Sequence, residues 1–326
     1  YGDDRGLHSF PTRRSSDLQN HLDPTFNLAL EEYFLKEANL TQDLFYLWRN
    51  APSIILGRNQ NPYHEVSLLY ANEQQIPVIR RISGGGCVYH DLGNINFTWI
   101  TNDYKGKVSR YQAILDPIIE TLRDLGIPAS FHGKSDIYLE DKKISGNAQG
   151  FHKNRLIHHG TLLFHTDLSR VGKLLHQHPL TKEKSSIASN RAQVCNIYPT
   201  LPIEKDVLTF MSEFLKAFEE RQLIPLEIRR IEPKELERIE AIANEKYRIH
   251  SWNYGETSPF TRIVSIQGVP VFEFSIIKGM IQEINAIDPD FQNIKDLLNQ
   301  PFLVSTILKF FQDHPQKEEI LRQLFH

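Results

Sequence analysis

The 326-residue sequence predicts an α/β fold built on a mixed sheet, with a large N-terminal domain and a small C-terminal one. Three observations carry that expectation. Short apolar runs of strand length alternate with amphipathic helical stretches, the strands are too short and too closely turn-linked for a regular parallel series, and a second group of strand and helix signals follows a charged helix that ends before residue 250. The proportions, 40% hydrophobic and 24% charged residues, are those of a globular chain that can bury a core.

Taken in order, the first 18 residues stand apart. Ser9 to Leu18 resembles the translation of a sequencing-library adapter, so residues 1–18 are expected to be a non-native or disordered tail without chemistry. Asp23-Pro24 then supplies an N-cap and first-turn pair, and Phe26, Leu30, Tyr33 and Phe34 recur at helical spacing. The runs 44–48 and 53–56, separated by Asn50-Ala51-Pro52, read as two strands joined by a turn. A helix is expected over 65–75, and strands over 78–82 and 95–101. A helix over 109–125 presents Ile114, Ile118, Leu122 and Leu125 on one face and is stopped by Gly126-Ile127-Pro128. Strand signals at 136–139 and 143–145 flank a turn, and 156–164 reads as a further sheet strand. Beyond a lysine-rich stretch at 182–189, helices over 204–220 and 233–247 complete the large domain. A hairpin at 271–287, a strand at 261–266 and helices near 293–298, 302–311 and 316–325 form the small one. The expected divisions are therefore 1–18, 19–249 and 250–326.

Charge narrows the partners. A formal net charge of -3 supplies no basic field for a nucleic acid, so any nucleotide is a small bound one. The sequence contains no apolar run long enough to span a bilayer and no signal-peptide pattern, and its two cysteines, Cys87 and Cys195, form no disulfide framework. A cytoplasmic setting without membrane is expected.

Three segments carry chemistry. The densest is Arg80-Arg81-Ile82-Ser83-Gly84-Gly85-Gly86-Cys87-Val88-Tyr89-His90-Asp91-Leu92-Gly93-Asn94. Consecutive glycines after a strand let backbone N–H groups approach an anion, and arginines beside them add fixed charge, so this loop suits a phosphate. It matches neither the Walker pattern nor the dinucleotide pattern. The second segment, Gly133-Lys134-Ser135-Asp136 followed by Lys142-Lys143-Ile144-Ser145-Gly146-Asn147-Ala148, offers a lysine that could neutralise a carboxylate and an α-phosphate together. The third is His158-His159-Gly160-Thr161-Leu162-Leu163-Phe164, paired histidines at the start of an apolar strand. Without a third ligand at suitable spacing, a structural role or a polar contact to ligand is expected of them rather than zinc binding.

In this order the three segments resemble the lipoate-protein ligase family, within the biotin/lipoate protein ligase superfamily. Weaker matches occur at Leu47-Trp48-Arg49-Asn50, Gly57-Arg58, Gln60-Asn61-Pro62 and Ser251-Trp252-Asn253-Tyr254-Gly255. The resemblance implies a biotin/lipoyl ligase-like catalytic domain with a small C-terminal α/β accessory domain. It implies activation of lipoate by ATP and Mg2+ to lipoyl-AMP, then transfer to a lysine of lipoyl domains in 2-oxoacid dehydrogenase E2 subunits and of the glycine cleavage H protein. By the same resemblance Arg81, Gly86, Cys87, Val88 and Tyr89 bind ATP, and Lys143 contacts both ATP and the lipoate carboxyl as the catalytic residue. Arg80, Ser83, Gly85 and His159 border lipoate; Gly84, His90, Asp91 and Asn94 are further candidates, and Asp136 is the candidate metal ligand. Two departures matter: Lys134-Ser135 stands where the family often has Arg-Asn, and cysteines stand at 87 and 195. The second keeps an alternative open, a cysteine-dependent octanoyl or lipoyl transferase.

Overall fold

The computed structural model describes residues 13–14, 21–102, 111–175, 192–201, 203–222 and 227–325. Apart from Arg13–Arg14, which form a two-residue strand, most of the segment expected to be a tail lies outside the described residues, as does the lysine-rich stretch at 182–189. The chain divides into two compact units, neither continuous in sequence. The first takes its described residues from 1–51, 90–168 and 192–243, the second from 52–89, 169–191 and 244–326.

The first unit is built on an eight-stranded mixed sheet. Its order is Glu227–Ile228, Arg13–Arg14, Leu44–Trp48, Asn94–Thr101, Arg155–Leu163, Lys142–His152, Asp136–Leu139 and Ala129–His132. The last six run antiparallel to one another, whereas Arg13–Arg14 pairs in parallel on both sides. One face packs against helices Tyr111–Asp124 and Val207–Gln222: Phe45, Phe97, Trp99, Leu122, Phe214 and Phe218 share a core in which the Phe45 and Phe218 rings stack 4.4 Å apart. The helix Pro24–Lys36 starts where its sequence signal places it, with Asp23 accepting from Thr25 N at 2.8 Å. It lies against the Asn94–Thr101, Lys142–His152 and Arg155–Leu163 strands and against helix Pro233–Ile242.

The second unit holds two three-stranded sheets, ordered Val78–Arg80, Ser53–Leu56, Val88–His90 and Phe260–Ile266, Val269–Ile277, Met280–Ala286. Ile54, Leu56, Tyr63, Phe272, Phe274, Phe302 and Leu324 belong to one buried cluster.

Three local expectations differ from the structure. The runs 44–48 and 53–56 do form strands, but they enter different sheets, because Ser53–Leu56 pairs in parallel with Val78–Arg80 instead of folding back. The helix over 65–75 is two short helices, Pro62–Glu65 and Leu68–Glu73. Between them Val66 is extended and bridges Leu175, while Ser67 N donates to Leu174 O, so tertiary pairing overrides helical spacing. The helix from Pro233 ends at Ile242 and continues to Tyr247 as a single π turn.

Candidate active site

In the first unit, alternation along the strands sorts side chains by face. Phe97 and His158 point to the helix-packed core, where the two rings stack at 6.0 Å. Asn94, Asn96, Thr98, His159 and Thr161 take the opposite face, with Thr98 paired to His159 and Asn96 to both Thr161 and Trp48. This places a strip of polar groups in the middle of the sheet. The His159 Nδ1–H donates to the Glu31 carboxylate, 2.9 Å from each oxygen, and the Thr98 hydroxyl donates to the same carboxylate at 2.5 Å. Trp48 Nε1 donates to Thr98 Oγ1 at 2.8 Å, which fixes the hydroxyl. Glu31 is fully buried, so its charge is held by these donors rather than by water. Sequence reasoning missed Glu31. The available signal was a pair of carboxylates, Glu31 and Glu32, set inside the otherwise apolar run Leu28-Ala29-Leu30-Glu31-Glu32-Tyr33-Phe34-Leu35.

Two neighbouring amides complete the strip. Asn94 Nδ2 donates to Asn96 Oδ1 at 2.9 Å, and Asn94 Oδ1 and Asn96 Nδ2 are left as buried polar atoms without a hydrogen-bond partner among the described residues. Such atoms are costly unless a ligand engages them.

Lys143 is held from several sides. Its amide donates to Gln193 O at 2.8 Å and its carbonyl accepts from Cys195 N at 3.1 Å, which fixes the backbone. The ammonium pairs with Asp136 Oδ2 at 3.0 Å, and both side chains keep about a fifth of their surface open, 20% and 17%. A methyl on Gly146 would stand 3.0 Å from Lys143 Nζ, so the ammonium lies close over the strand at this glycine. Gly146 N in turn donates to Thr161 Oγ1 at 3.3 Å, joining the lysine to the polar strip. The Gly133 turn that precedes Asp136 has φ +64°, a left-handed conformation suited to glycine.

His90, Asp91 and Asn94 follow. His90 Nδ1 accepts from Asn50 Nδ2 at 3.0 Å, and Asn50 Oδ1 accepts from Asn27. Asp91 receives Gly93 N at 2.9 Å and Asp167 N at 2.8 Å, a turn-forming role. A Cβ on Gly93 would stand 2.0 Å from His165 O, so that turn requires glycine.

His158 faces the core. Burial and the neighbouring His159 push its pKa down from 6.5 to about 3, so it is neutral in the folded protein. In an unfolded chain it takes up a proton below about 6.5. The unfolded state therefore binds more protons between those values, and stability falls as pH drops through that window by about 1.4 kcal/mol per pH unit. Denaturant midpoints at pH 5 and pH 7 are expected to differ in the wild type and to converge in His158→Gln; an equal difference in both would refute the assignment.

In the second unit the glycine loop leaves the strand Val78–Arg80. Arg81 Nε donates to Ser83 Oγ at 3.0 Å, Nη1 to Ile55 O at 3.2 Å and Nη2 to Gly84 O at 2.6 Å, so the guanidinium shapes the loop from within. Gly85 adopts φ +90°. Its carbonyl approaches so closely that a Cβ on Gly57 would stand 2.0 Å away, which explains glycine at 57 as well. A Cβ on Gly84 would meet nothing within 4 Å, so that backbone is open to a ligand. Gly86 and the buried Cys87 lead into the strand Val88–His90, where Tyr89 is also buried. Arg80 is fully buried, and burial with the nearby Arg58 lowers its pKa to about 10. Its guanidinium donates to five backbone carbonyls, those of Gly57, Arg58, Gln60, Trp252 and Asn253.

The two thiols differ in their surroundings: burial raises the pKa of Cys195, whereas Cys87 is near the Arg80 guanidinium but buried, only 7% exposed.

Residues 23–219 match the family described as the lipoyl protein ligase A/B catalytic domain. The chain is 36% identical over 313 residues to lipoate–protein ligase 1 of Staphylococcus aureus, covering 94% of this chain and 93% of that protein. It is similar to the structure of protein Ta0514 from T. acidophilum with bound lipoic acid, at TM-score 0.64 and 26% identity over 75% of this chain and 99% of that one. A crystal structure of lipoate-protein ligase A bound with ATP gives TM-score 0.60 and 25% identity over 75% of this chain and 99% of that one.

Proposed function

We propose, from the premise that this chain belongs to the lipoyl protein ligase A/B family and is an ATP-dependent lipoate-protein ligase, a division of labour among its residues. The observation that carries it is Lys143, an ammonium fixed at both backbone and side chain yet open on one side, joined through Gly146 to a strip of buried polar groups. The open backbone at Gly84, with Ser83, Gly85, Gly86 and the strand from Val88, receives the ATP phosphates, while Arg81 holds that loop in shape. Lys143 sits between the carboxylate of lipoate and the α-phosphate. A carboxylate oxygen attacks the α-phosphorus, pyrophosphate leaves, and lipoyl-AMP forms; fixed positive charge offsets the repulsion between two anions. In the second step the neutral amine of an acceptor lysine attacks the acyl carbon, AMP leaves, and the amine proton passes to solvent or phosphate. Lys143 then faces the developing oxyanion.

The strip containing Asn94, Asn96, Thr98, Thr161 and His159 borders the lipoyl site, where the unpartnered Asn96 Nδ2 is a donor for the carboxylate end of lipoate. Arg80 acts on this site through the loop it anchors. Asp136 would hold Mg2+ through a single carboxylate, the kind of donor that Mg2+ combines with nucleotide oxygens. When bound, the ion neutralises phosphate charge. Residues 19–249 supply the chemistry and 250–326 serve as the accessory region. The acceptors are lipoyl domains of 2-oxoacid dehydrogenase E2 subunits and the glycine cleavage H protein. A cytoplasmic setting fits a chain in which no described helix is long and apolar enough to cross a membrane.

The test is ATP dependence. Purified protein, apo lipoyl domain, lipoate and Mg2+ are expected to give a lipoyl mass increment on the acceptor only when ATP is added. Cys87→Ser and Cys195→Ser are expected to retain most of that activity, within about threefold. Modification without ATP, or loss of it in a folded Cys195→Ser protein, would favour the cysteine-dependent transferase.

A further inference from the structure

Among the described residues Val78–Arg80 is an edge strand, paired on one side only, with Ser53–Leu56. Its free edge at Arg80 is closed by side chains of a distant segment. Arg80 N donates to Asn253 Oδ1 at 3.0 Å, and Arg80 O accepts from Trp252 Nε1 at 2.7 Å. Trp252 and Asn253 thus take both backbone groups of one residue, as a neighbouring strand would. Their own carbonyls accept from the Arg80 guanidinium at 3.0 Å each, so the clasp closes in both directions.

The clasp is itself held in place. Asn253 Nδ2 donates to Tyr247 O at 2.8 Å, and the Trp252 ring lies under the Arg58 guanidinium at 4.4 Å and the Lys246 ammonium at 3.9 Å. Arg58 continues to Glu256 at 2.8 Å, and Arg58 N donates to Ser83 O at 2.8 Å. The links join the glycine-loop segment to residues 246–256 or brace one of those two segments internally, all within one compact unit.

We infer that Trp252 and Asn253 are positioning residues for adenylation: by clasping Arg80 they set the direction in which the chain enters Ser83-Gly84-Gly85-Gly86, and hence the aim of that loop at the ATP phosphates. This rests on the reading of the loop as the ATP site. It also moves the functional boundary past Asn253, since part of the segment assigned to the accessory region supports the catalytic loop.

Lipoate-dependent exchange of pyrophosphate into ATP, followed with the full-length chain, tests the clasp. Asn253→Leu removes the acceptor for Arg80 N, and is expected to raise KM for ATP by roughly tenfold or more while KM for lipoate stays within about twofold. Asn253→Asp keeps that acceptor but loses the donor to Tyr247, so it is expected to lie closer to wild type in KM for ATP. A merely structural role would weaken both variants alike. Equal impairment of the two, or parallel rises in both KM values, overturns the inference. If Asn253→Leu does not fold, Trp252→Phe carries the test by deleting the donor to Arg80 O while keeping an aromatic ring beneath Arg58 and Lys246; an unchanged KM for ATP then overturns it. Arg81→Ala serves as the control on the underlying reading. A KM for ATP unchanged in that variant would overturn the loop as the ATP site and the inference with it, whereas a raised one beside a normal Asn253→Leu enzyme overturns the inference alone.

Discussion

Lys143→Ala is expected to lower lipoyl-AMP formation by about 10³-fold, the cost of removing a preorganised charge from the point where negative charge gathers. The size follows from how firmly the lysine is held. Its backbone is bonded to Gln193 and Cys195 and its ammonium to Asp136, so little of its charge stabilisation is lost to reorganisation during reaction. Alanine leaves the backbone bonds in place, and the variant is expected to melt within a few degrees of wild type. Lys143→Arg is expected to recover little, because a planar guanidinium cannot take the position over Gly146 that a compact ammonium occupies. Single-turnover measurement of lipoyl-AMP by mass spectrometry decides the matter: a rate within tenfold of wild type would remove Lys143 from the chemistry.

His159→Leu is the second large effect, and it falls on stability. The substitution keeps a bulky side chain but strips the fully buried Glu31 carboxylate of its imidazole partner. Removing the donor leaves a buried carboxylate short of a hydrogen bond, which costs about 1–3 kcal/mol. Glu31→Leu combined with His159→Leu removes both groups and is expected to be more stable than His159→Leu alone. Urea titration of the two proteins checks this. A cost below about 0.5 kcal/mol for the single variant would show that the Glu31 carboxylate does not depend on the His159 donor.

Much of the fold was legible locally. The Asp23-Pro24 cap, the apolar runs at 44–48 and 95–101 and the hairpin at 271–287 each encode an element in adjacent residues, and each forms near its expected bounds. Errors arose where partners were remote. Ser53–Leu56 reads as the second arm of a hairpin, yet it joins another sheet because its parallel partner is Val78–Arg80. The helix over 65–75 breaks because Val66 and Ser67 bond to Leu174 and Leu175, more than a hundred positions away.

The same division runs through the site. The sequence alone determined the family and located the phosphate-suited loop, the lysine segment and the histidine strand, because each is a run of consecutive residues whose chemistry depends on neighbours in the chain. Tertiary structure alone decided the partnerships. Glu31 meets Thr98 across 67 positions and His159 across 128, and Arg80 meets Asn253 across 173. Arg80 and Arg81 stand side by side in one motif, yet one is spent on the carbonyls of remote segments and the other on the loop it enters and the adjoining strand. Adjacent strand residues point to opposite faces, and what waits on each face is set by packing, which no local pattern records.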